Sequence, residues 1–400
     1  MDPTYSELIE NLAEQIVHDL DVTKGIPGLK IIEVTSKSDL LRFIKLPQQL
    51  YKDDPNFVFE PIFLQKEFFS PKNPFFTHSS ARYFLAEFNG VLVGRIASIN
   101  NSVHNKTYNE NIGFFGFFES INNYRVAKLL LDTVIEIHRA AGFNRVIGPT
   151  NFTTNDSAGL LINGFDSPPV VMMPYNKPYY ADFLNRYGFK KETDLSSYFI
   201  DDKILSSDRF TNLTDGIASK LLVNGITFRN IDYRSLNKEL VAACSIYNES
   251  NKDNWGFIPL TEAEFVHTGN LFRQFVPHDL IILAVKEDQI VGFAVALPDL
   301  NQVFRKMPSG RMFPTGFLKY LWYKKKINGS RILILGVEHG LRKSGIDVIL
   351  YKKIQENLAN HRIYSGEACY VMETNKAMHS IMNKLGGAKI KEYRIYNYAL

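Results

Sequence analysis

The stretch Arg331-Ile-Leu-Ile-Leu-Gly-Val-Glu338-His-Gly-Leu-Arg342-Lys-Ser-Gly345-Ile-Asp347 admits few local geometries. Its first seven residues, mostly apolar or β-branched, predict a buried strand, and the Gly, Lys and Arg that follow break it. Ile346, Ile349, Leu350, Ile354 and Leu358 then recur at helical spacing to about Asn360. In a strand, tight turn and helix, the free N–H groups of the turn and the positive end of the helix dipole point into one concavity. That is an anion site, most naturally one for phosphate or pyrophosphate. On this stretch alone a generic α/β unit is an equal reading.

The chain has 400 residues, enough for two or three domains. With 45% hydrophobic and 22% charged residues it is a folded soluble type, without low-complexity tracts. Its apolar runs are shorter than the roughly 20 residues of a membrane span, and the start lacks the basic-then-apolar pattern of a secretory signal. The cytoplasm is the expected compartment. Cys244 and Cys369 stand alone, outside any metal-ligand spacing, so free thiols and no metal are expected. A net charge of +4 is too small and dispersed to argue for nucleic acid. The 30 Phe and 20 Tyr suit either a large apolar groove or thick cores.

Residues 5 to about 20 read as an amphipathic helix ended by Gly25, Pro27 and Gly28, a helix suited to docking on the body or to a lipid surface. A strand at Leu29–Val34, a helix near Lys37–Leu50 and an irregular loop at Tyr51–His78 follow. Asn89-Gly90 between alternating apolar runs announces a hairpin. A strand from Ile112 and a helix over Asn123–Ala141 come next, then strands near Arg145–Pro149 and Ser196–Ile200. The same order recurs from Ile226 through a hairpin around Glu287-Asp288, the opening strand-turn-helix, a strand at Ala368–Met372, a helix from Asn375 and a last strand near Tyr393–Tyr398. Two halves with one element order imply duplication. The expected units are an N-terminal helix (1–28), a first domain (29–200), a connection (201–222) and a second domain (223–400).

These features resemble the GNAT acyltransferase superfamily, twice. Val93-Gly94-Arg95 and Val291-Gly292-Phe293 match its hairpin. Arg342-Lys-Ser-Gly345-Ile-Asp347 is similar to its Q/R-x-x-G-x-G/A loop, which holds the pyrophosphate of coenzyme A, although Asp347 stands where the pattern has Gly or Ala. Asn375 to Gly387 resembles its C-terminal Asn-helix-Leu-Gly motif, with Met382 where many members place a Tyr acid. Asp54-Pro55, Asn73-Pro74, Gly94-Arg95, Gly113 to Glu119, Gly148-Pro149-Thr-Asn-Phe152, Gly159 to Phe165, Asn254-Trp255-Gly-Phe-Ile-Pro259, Pro298-Asp299 and Tyr393-Arg394-Ile-Tyr396 resemble the two-domain family that includes the bacterial ceramide synthases. The resemblance implies an α/β fold of mixed sheets, built as two tandem GNAT-like acyl-CoA N-acyltransferase domains. The first half, which has no phosphate loop, is then a degenerate repeat. It also implies acyl transfer from acyl-CoA to the amine of a long-chain base at the inner face of the cytoplasmic membrane. A soluble-amine acetyl- or aminoacyltransferase and a non-catalytic acyl-CoA- or lipid-binding protein are the alternatives.

Acyl transfer needs the pyrophosphate held, the thioester carbonyl polarised, the ammonium deprotonated and the thiolate protonated. Val337, Arg342, Lys343, Ser344, Gly345, Ile346 and Asn375 are the candidates for coenzyme A. Glu338 at the strand end is a candidate base or an exposed charge. Strand alternation would put Glu367, Cys369, Val371 and Glu373 on one face, which makes Glu367 and Glu373 further bases. Tyr393 is a candidate proton donor or a core residue. Trp255, Glu262, Asp299 and Asn301 are candidates for the acceptor. Finally, Phe313 to Lys326 combines Phe, Tyr, Trp and a Lys cluster, a composition suited to an anionic bilayer surface or to a core helix with a solvated end.

Overall fold

The computed structural model describes residues 26–201, 208–384 and 386–400; the helix expected over residues 5 to 20 lies outside them. The first half runs β1 (Leu29–Glu33), α1 (Lys37–Leu50), α2 (Ile62–Phe68), β2 (Ser80–Phe88), β3 (Val91–Asn100), α3 (Ser102–Tyr108), β4 (Ile112–Ser120), α4 (Tyr124–Ala140) and β5 (Arg145–Gly148). Two short strands follow, β6 (Thr150–Asn151) and β7 (Ser157–Ala158), then β8 (Leu160–Asn163), α5 (Tyr180–Tyr187) and β9 (Lys190–Asp201). The second half runs α6 (Asp208–Val223), β10 (Ile226–Asn230), α7 (Leu236–Asn251), α8 (Glu262–Phe272), β11 (Ile281–Lys286), β12 (Gln289–Pro298), α9 (Asn301–Phe304) and α10 (Gly316–Tyr323). It ends with β13 (Gly329–Val337), α11 (Ile346–Asn360), β14 (Ser365–Met372), α12 (Lys376–Lys384) and β15 (Ala388–Ala399).

The long strands form one sheet, in the order β1-β2-β3-β4-β5-β15-β9-β14-β13-β12-β11-β10. The last strand of each half pairs into the other half. Tyr396 of β15 faces Gly148 of β5, Phe199 of β9 faces Glu367 of β14, and β9 and β15 pair with each other. The sheet is mixed, with β4–β5 and β13–β14 parallel and the other pairs on this path antiparallel.

Each hairpin glycine lets a helix approach its sheet closely. A Cβ on Gly94 would lie 2.7 Å from Leu130 Cδ1 of α4, and one on Gly292 would lie 3.2 Å from Ile346 of α11. The two Val-Gly pairs therefore do the same packing work in the two halves. In α4, Val126, Leu130, Leu131, Val134 and Ile135 are buried, each stabilising the fold by roughly 1.5–3 kcal/mol. One continuous core spans both halves, from Phe43 and Phe69 to Phe293 and Ile349.

Two expectations need correction. Tyr51–His78 is not wholly irregular. It contains α2 and a 3₁₀ turn at Pro74–Thr77 whose N-cap, Asn73, accepts the Phe75 N–H at 3.1 Å. Tertiary packing, rather than local propensity, stabilises so short a helix. Strict alternation also fails in β14. Its register with β9 shifts between Ala368 and Val371, and Tyr370 takes φ 58°, so Glu367 and Glu373 do not share one regular strand face.

Candidate active site

Strands β13 and β14 are in register only from Gly329–Ser365 to Ile332–Ala368. Beyond Ile332 they part, because β14 bulges toward β9. A bulge also interrupts the pairing of β12 with β13, where Val295 faces Ile334 and Ala296 faces Ile332. The gap opens on a cavity of about 310 Å³ whose walls include Trp255, Phe265, Leu333, Ile334, Leu335 and Tyr370. A concave, mostly apolar opening of this size is a candidate ligand site.

The loop expected to bind an anion sits at the end of β13. Ser250 Oγ donates to the Val337 carbonyl and accepts the Val337 N–H, both at 3.1 Å, which ties the strand end to α7. Arg342 donates to the Glu249 carbonyl at 2.9 Å. Lys343 (φ 65°) and Gly345 (φ 94°) turn the chain through left-handed backbone, and Gly345 becomes the N-cap of α11. Ser344 Oγ accepts the Ile346 N–H at 3.4 Å. Asp347 occupies the first turn of α11, where a carboxylate suits the helix dipole. Its charge adds to burial in raising the Tyr351 hydroxyl to about 12.

A second cavity, of about 350 Å³, the first-half cavity, is walled mainly by the first half and closed by residues between Leu271 and Phe304 of the second. Its walls are mainly aromatic and aliphatic, with Phe57, Phe68, Phe117, Phe275 and Phe304 among them, together with the buried pair Arg95 and Glu119. Glu119 Oε2 accepts the Tyr51 and Tyr180 hydroxyls at 2.7 and 2.8 Å, and Arg95 lies 3.7 Å from Oε1. Burial pushes the Glu119 carboxyl up, opposed by Arg95 and by the two tyrosines. Asp156, Met172 and Phe272 belong to the walls of both cavities, so the two meet there.

The candidates from sequence separate on this geometry. Trp255 lines the β13 cavity and Asn301 the first-half cavity. Glu338 is exposed at the strand end beside the loop. Glu367 is flanked by Asp299, Arg331, Lys391 and Cys369, and burial raises its carboxyl to about 7, but it lines neither cavity. Glu373 pairs with Lys191 at 2.5 Å and accepts the Asp194 N–H at 3.1 Å; the Lys191 bond holds its carboxyl below the ordinary range. Tyr393 is fully buried, its hydroxyl has no partner among the described residues, and burial holds it well above the usual tyrosine range. Asp299 accepts the Val171 N–H at 3.0 Å and the Asn301 N–H at 3.2 Å, so it joins two segments. Glu262 is exposed in the first turn of α8. Asn375 Oδ1 accepts the Met378 N–H at 3.0 Å and so caps α12.

Sequence reading missed Asp156, which lies four residues beyond the Gly148–Phe152 motif. Its carboxylate accepts the Thr153 N–H at 3.2 Å and the Thr153 hydroxyl at 2.7 Å, and burial raises it to about 7. Local pattern holds no signal for it, because its position depends on which residues cross from one half to the other. Among the described residues no His, Cys, Asp and Glu cluster could hold a metal ion, and both cysteines are free.

No family model matches the sequence. The chain is 32% identical over 370 residues to Protein YghO of Escherichia coli strain K12, spanning 90% of this chain and 93% of that protein. It is 31% identical over 381 residues to the bacterial ceramide synthase of Caulobacter vibrioides, spanning 93% and 98%. Among solved structures, a tandem GNAT protein from the clavulanic acid biosynthesis pathway superposes with TM-score 0.54 at 10% identity, covering 93% of this chain and 98% of that one. A GCN5-related N-acetyltransferase from Sphaerobacter thermophilus superposes with TM-score 0.51 at 13% identity, covering 92% and 95%. The tandem GNAT fold, read with these relatives, makes the chain an N-acyltransferase of the GNAT type, and it belongs to the bacterial ceramide synthase family.

Proposed function

We propose that this N-acyltransferase moves a fatty acyl group from acyl-CoA to the amine of a long-chain, sphingoid-type base at an anionic membrane surface. The observation that carries this reading is the apolar cavity along Leu333–Leu335, on the strand that leads into the Arg342–Gly345 loop. In this reading Arg342, Lys343 and the amides from Ser344 to Ile346 hold the pyrophosphate. The acyl chain extends from there past Val337 along β13, into walls of Phe265, Leu283 and Phe293. An acetyl group would leave most of that apolar wall without contact.

The acceptor class is supported by the name of the Caulobacter relative and by an exposed apolar face at α10, whose Tyr320 ring lies 6.2 Å from that of the cavity-lining Phe275. Phe313 is 77% and Trp322 65% exposed, and Phe317, Leu318 and Leu321 are exposed beside them. Lys324, Lys325 and Lys326 follow directly, all exposed, and Lys326 lies 5.1 Å over the Trp322 ring. Large apolar side chains beside a lysine cluster fit the headgroup region of an anionic leaflet. No helix among the described residues is long and apolar enough to cross a membrane. In this reading the face binds one leaflet, at the cytoplasmic surface of the inner membrane. A thiol-release assay pairing short- and long-chain acyl-CoAs with sphinganine and with soluble amines tests the reading. Long acyl chains and sphinganine should give the largest kcat/KM; equal or better turnover of a soluble amine with acetyl-CoA would reject it.

A further inference from the structure

We propose that the first-half cavity is the acceptor site: a long-chain primary amine lays its hydrocarbon chain among the Phe57, Phe68 and Phe275 side chains and ends with its amine at Asp156, which takes the proton. This inference rests on the acyl-transfer reading and deepens it.

The β13 cavity is lined by Leu333–Leu335 of the strand that leads into the anion loop, so in the acyl-transfer reading the acyl donor claims it. The only wall residues it shares with the first-half cavity are Asp156, Met172 and Phe272, and of these only Asp156 can carry charge or move a proton. A carboxylate in an otherwise apolar junction complements an ammonium group.

The carboxylate is also prepared for the task. Both side-chain bonds from the protein, from the Thr153 N–H and hydroxyl, go to Oδ2, which leaves Oδ1 with no hydrogen-bond partner among the described residues. The segment carrying it is pinned onto the second half. Thr154 Oγ1 donates to the Gly256 carbonyl at 2.6 Å, Asn155 Nδ2 to the Ile258 carbonyl at 2.8 Å, and the Tyr247 hydroxyl to Asn155 Oδ1 at 2.9 Å. A carboxyl titrating near 7 suits a base that works at neutral pH. Glu264 is the neighbouring charge that adds to its elevation. The cavity further holds polar atoms that lack partners among the described residues, Asn301 Oδ1 and Arg95 Nε. Buried groups left unpaired in this way suit a ligand that brings its own polar atoms, such as the hydroxyls of a sphingoid head.

Asp156 accepts one proton from the ammonium, and the freed amine attacks the thioester carbonyl. As the C–N bond forms and the C–S bond breaks, the second proton leaves nitrogen and ends on the departing thiolate sulfur. The products are amide, free thiol and protonated Asp156, which returns its proton to solvent.

Two variants test this. In sphinganine acylation, Asp156→Asn should lower kcat at least about a hundredfold, with acyl-CoA binding and the unfolding midpoint unchanged. Leu64→Trp, which fills the half-buried wall of the cavity from α2, should raise the KM for sphinganine at least about tenfold while leaving the acyl-CoA KM unchanged. Calorimetric binding of dodecylamine without acyl-CoA gives a readout independent of turnover. The amine should bind the wild type, bind Leu64→Trp at least about tenfold more weakly, and bind better than dodecanoic acid. Turnover in Asp156→Asn within about threefold of wild type, unchanged amine binding in Leu64→Trp, or equal binding of acid and amine would each overturn the assignment. Absence of wild-type turnover with every amine, alongside selective dodecylamine binding, would sink the acyl-transfer reading and leave the amine site standing.

Discussion

The Phe117 N–H donates to Asn151 Oδ1 at 2.8 Å, and this bond closes the first-half gap that its counterpart in the second half leaves open. Gly94 faces Ser120 and Gly292 faces Val337, so counting back three residues from each places Phe117 opposite Ile334 in the duplicated plan. Strand β6 fills the first-half wedge, with the Thr150 carbonyl so close to Gly116 that no Cβ would fit. The second half has its cavity at the same place. One acyl-CoA per chain is therefore expected in calorimetry, and a stoichiometry of two would contradict the plugged wedge. Asn151→Ala should destabilise the fold by about 1 kcal/mol or more in urea unfolding, because it strands a part-buried N–H.

Gly345 tests the anion loop. Its φ of 94° disfavours any side chain, and a Cβ there would lie 2.5 Å from Ile217. Gly345→Val should raise the acyl-CoA KM at least about tenfold and cost on the order of 1–2 kcal/mol of stability. Normal acyl-CoA affinity in a folded variant would remove the loop from the binding site.

The exposed face at α10 should be separable from catalysis. Each lysine near an anionic surface contributes about 1 kcal/mol. Replacing Lys324, Lys325 and Lys326 by Gln should therefore weaken liposome flotation on the order of a hundredfold. Trp322→Ala should weaken it further, with thiol release from detergent-dispersed substrates retained. Flotation equal to wild type in the combined variant would refute membrane contact at this face.

Glu367 gives a pH test with a definite sign. Its folded carboxyl titrates near 7 against an ordinary 4.5, raised chiefly by burial, so the folded chain binds this proton more tightly than the unfolded chain does. The stability it contributes is full below the ordinary value and is lost as pH rises to about 7. Glu367→Gln does not titrate. Its stability relative to wild type should rise by about 1 kcal/mol or more between pH 5 and 8, measured as paired urea midpoints. A constant difference across that range would show that Glu367 is not desolvated.

Glu373 should behave as an exposed ion-pair partner of Lys191. Glu373→Gln should change stability by about 1 kcal/mol or less and leave kcat unchanged. A large loss of kcat would return it to the catalytic candidates.

Much of the fold is legible in sequence, because its signals are local. The β2–β3 turn at Asn89-Gly90 and the apolar spacing of α4 and α11 each specify an element from neighbours a few residues away. Tyr370 shows where that logic stops. Its positive φ and the accompanying register shift answer to the pairing of β14 with a strand from the other half, and no window around Ala368–Met372 contains that information. The candidate site divides in the same way. Trp255, Asn301 and the Arg342–Gly345 turn are singled out by motif alone, whereas Asp156 and the Arg95–Glu119 pair matter because of what packs around them.

The sequence by itself determined the duplicated order of elements, the strand-turn-helix over Arg331–Asn360, and the family. Local periodicity, turn chemistry and close-approach glycines act over a few residues and need no knowledge of the rest of the chain. Only the tertiary structure decided that β9 and β15 change places, that the first-half wedge is plugged by Asn151, and that two cavities meet at Asp156. Those outcomes depend on pairings between residues well apart in the chain, 34 positions for Phe117 and Asn151 and far more for the exchanged strands, and on desolvation of a carboxyl by whatever surrounds it, and neither is written into a local stretch of chain.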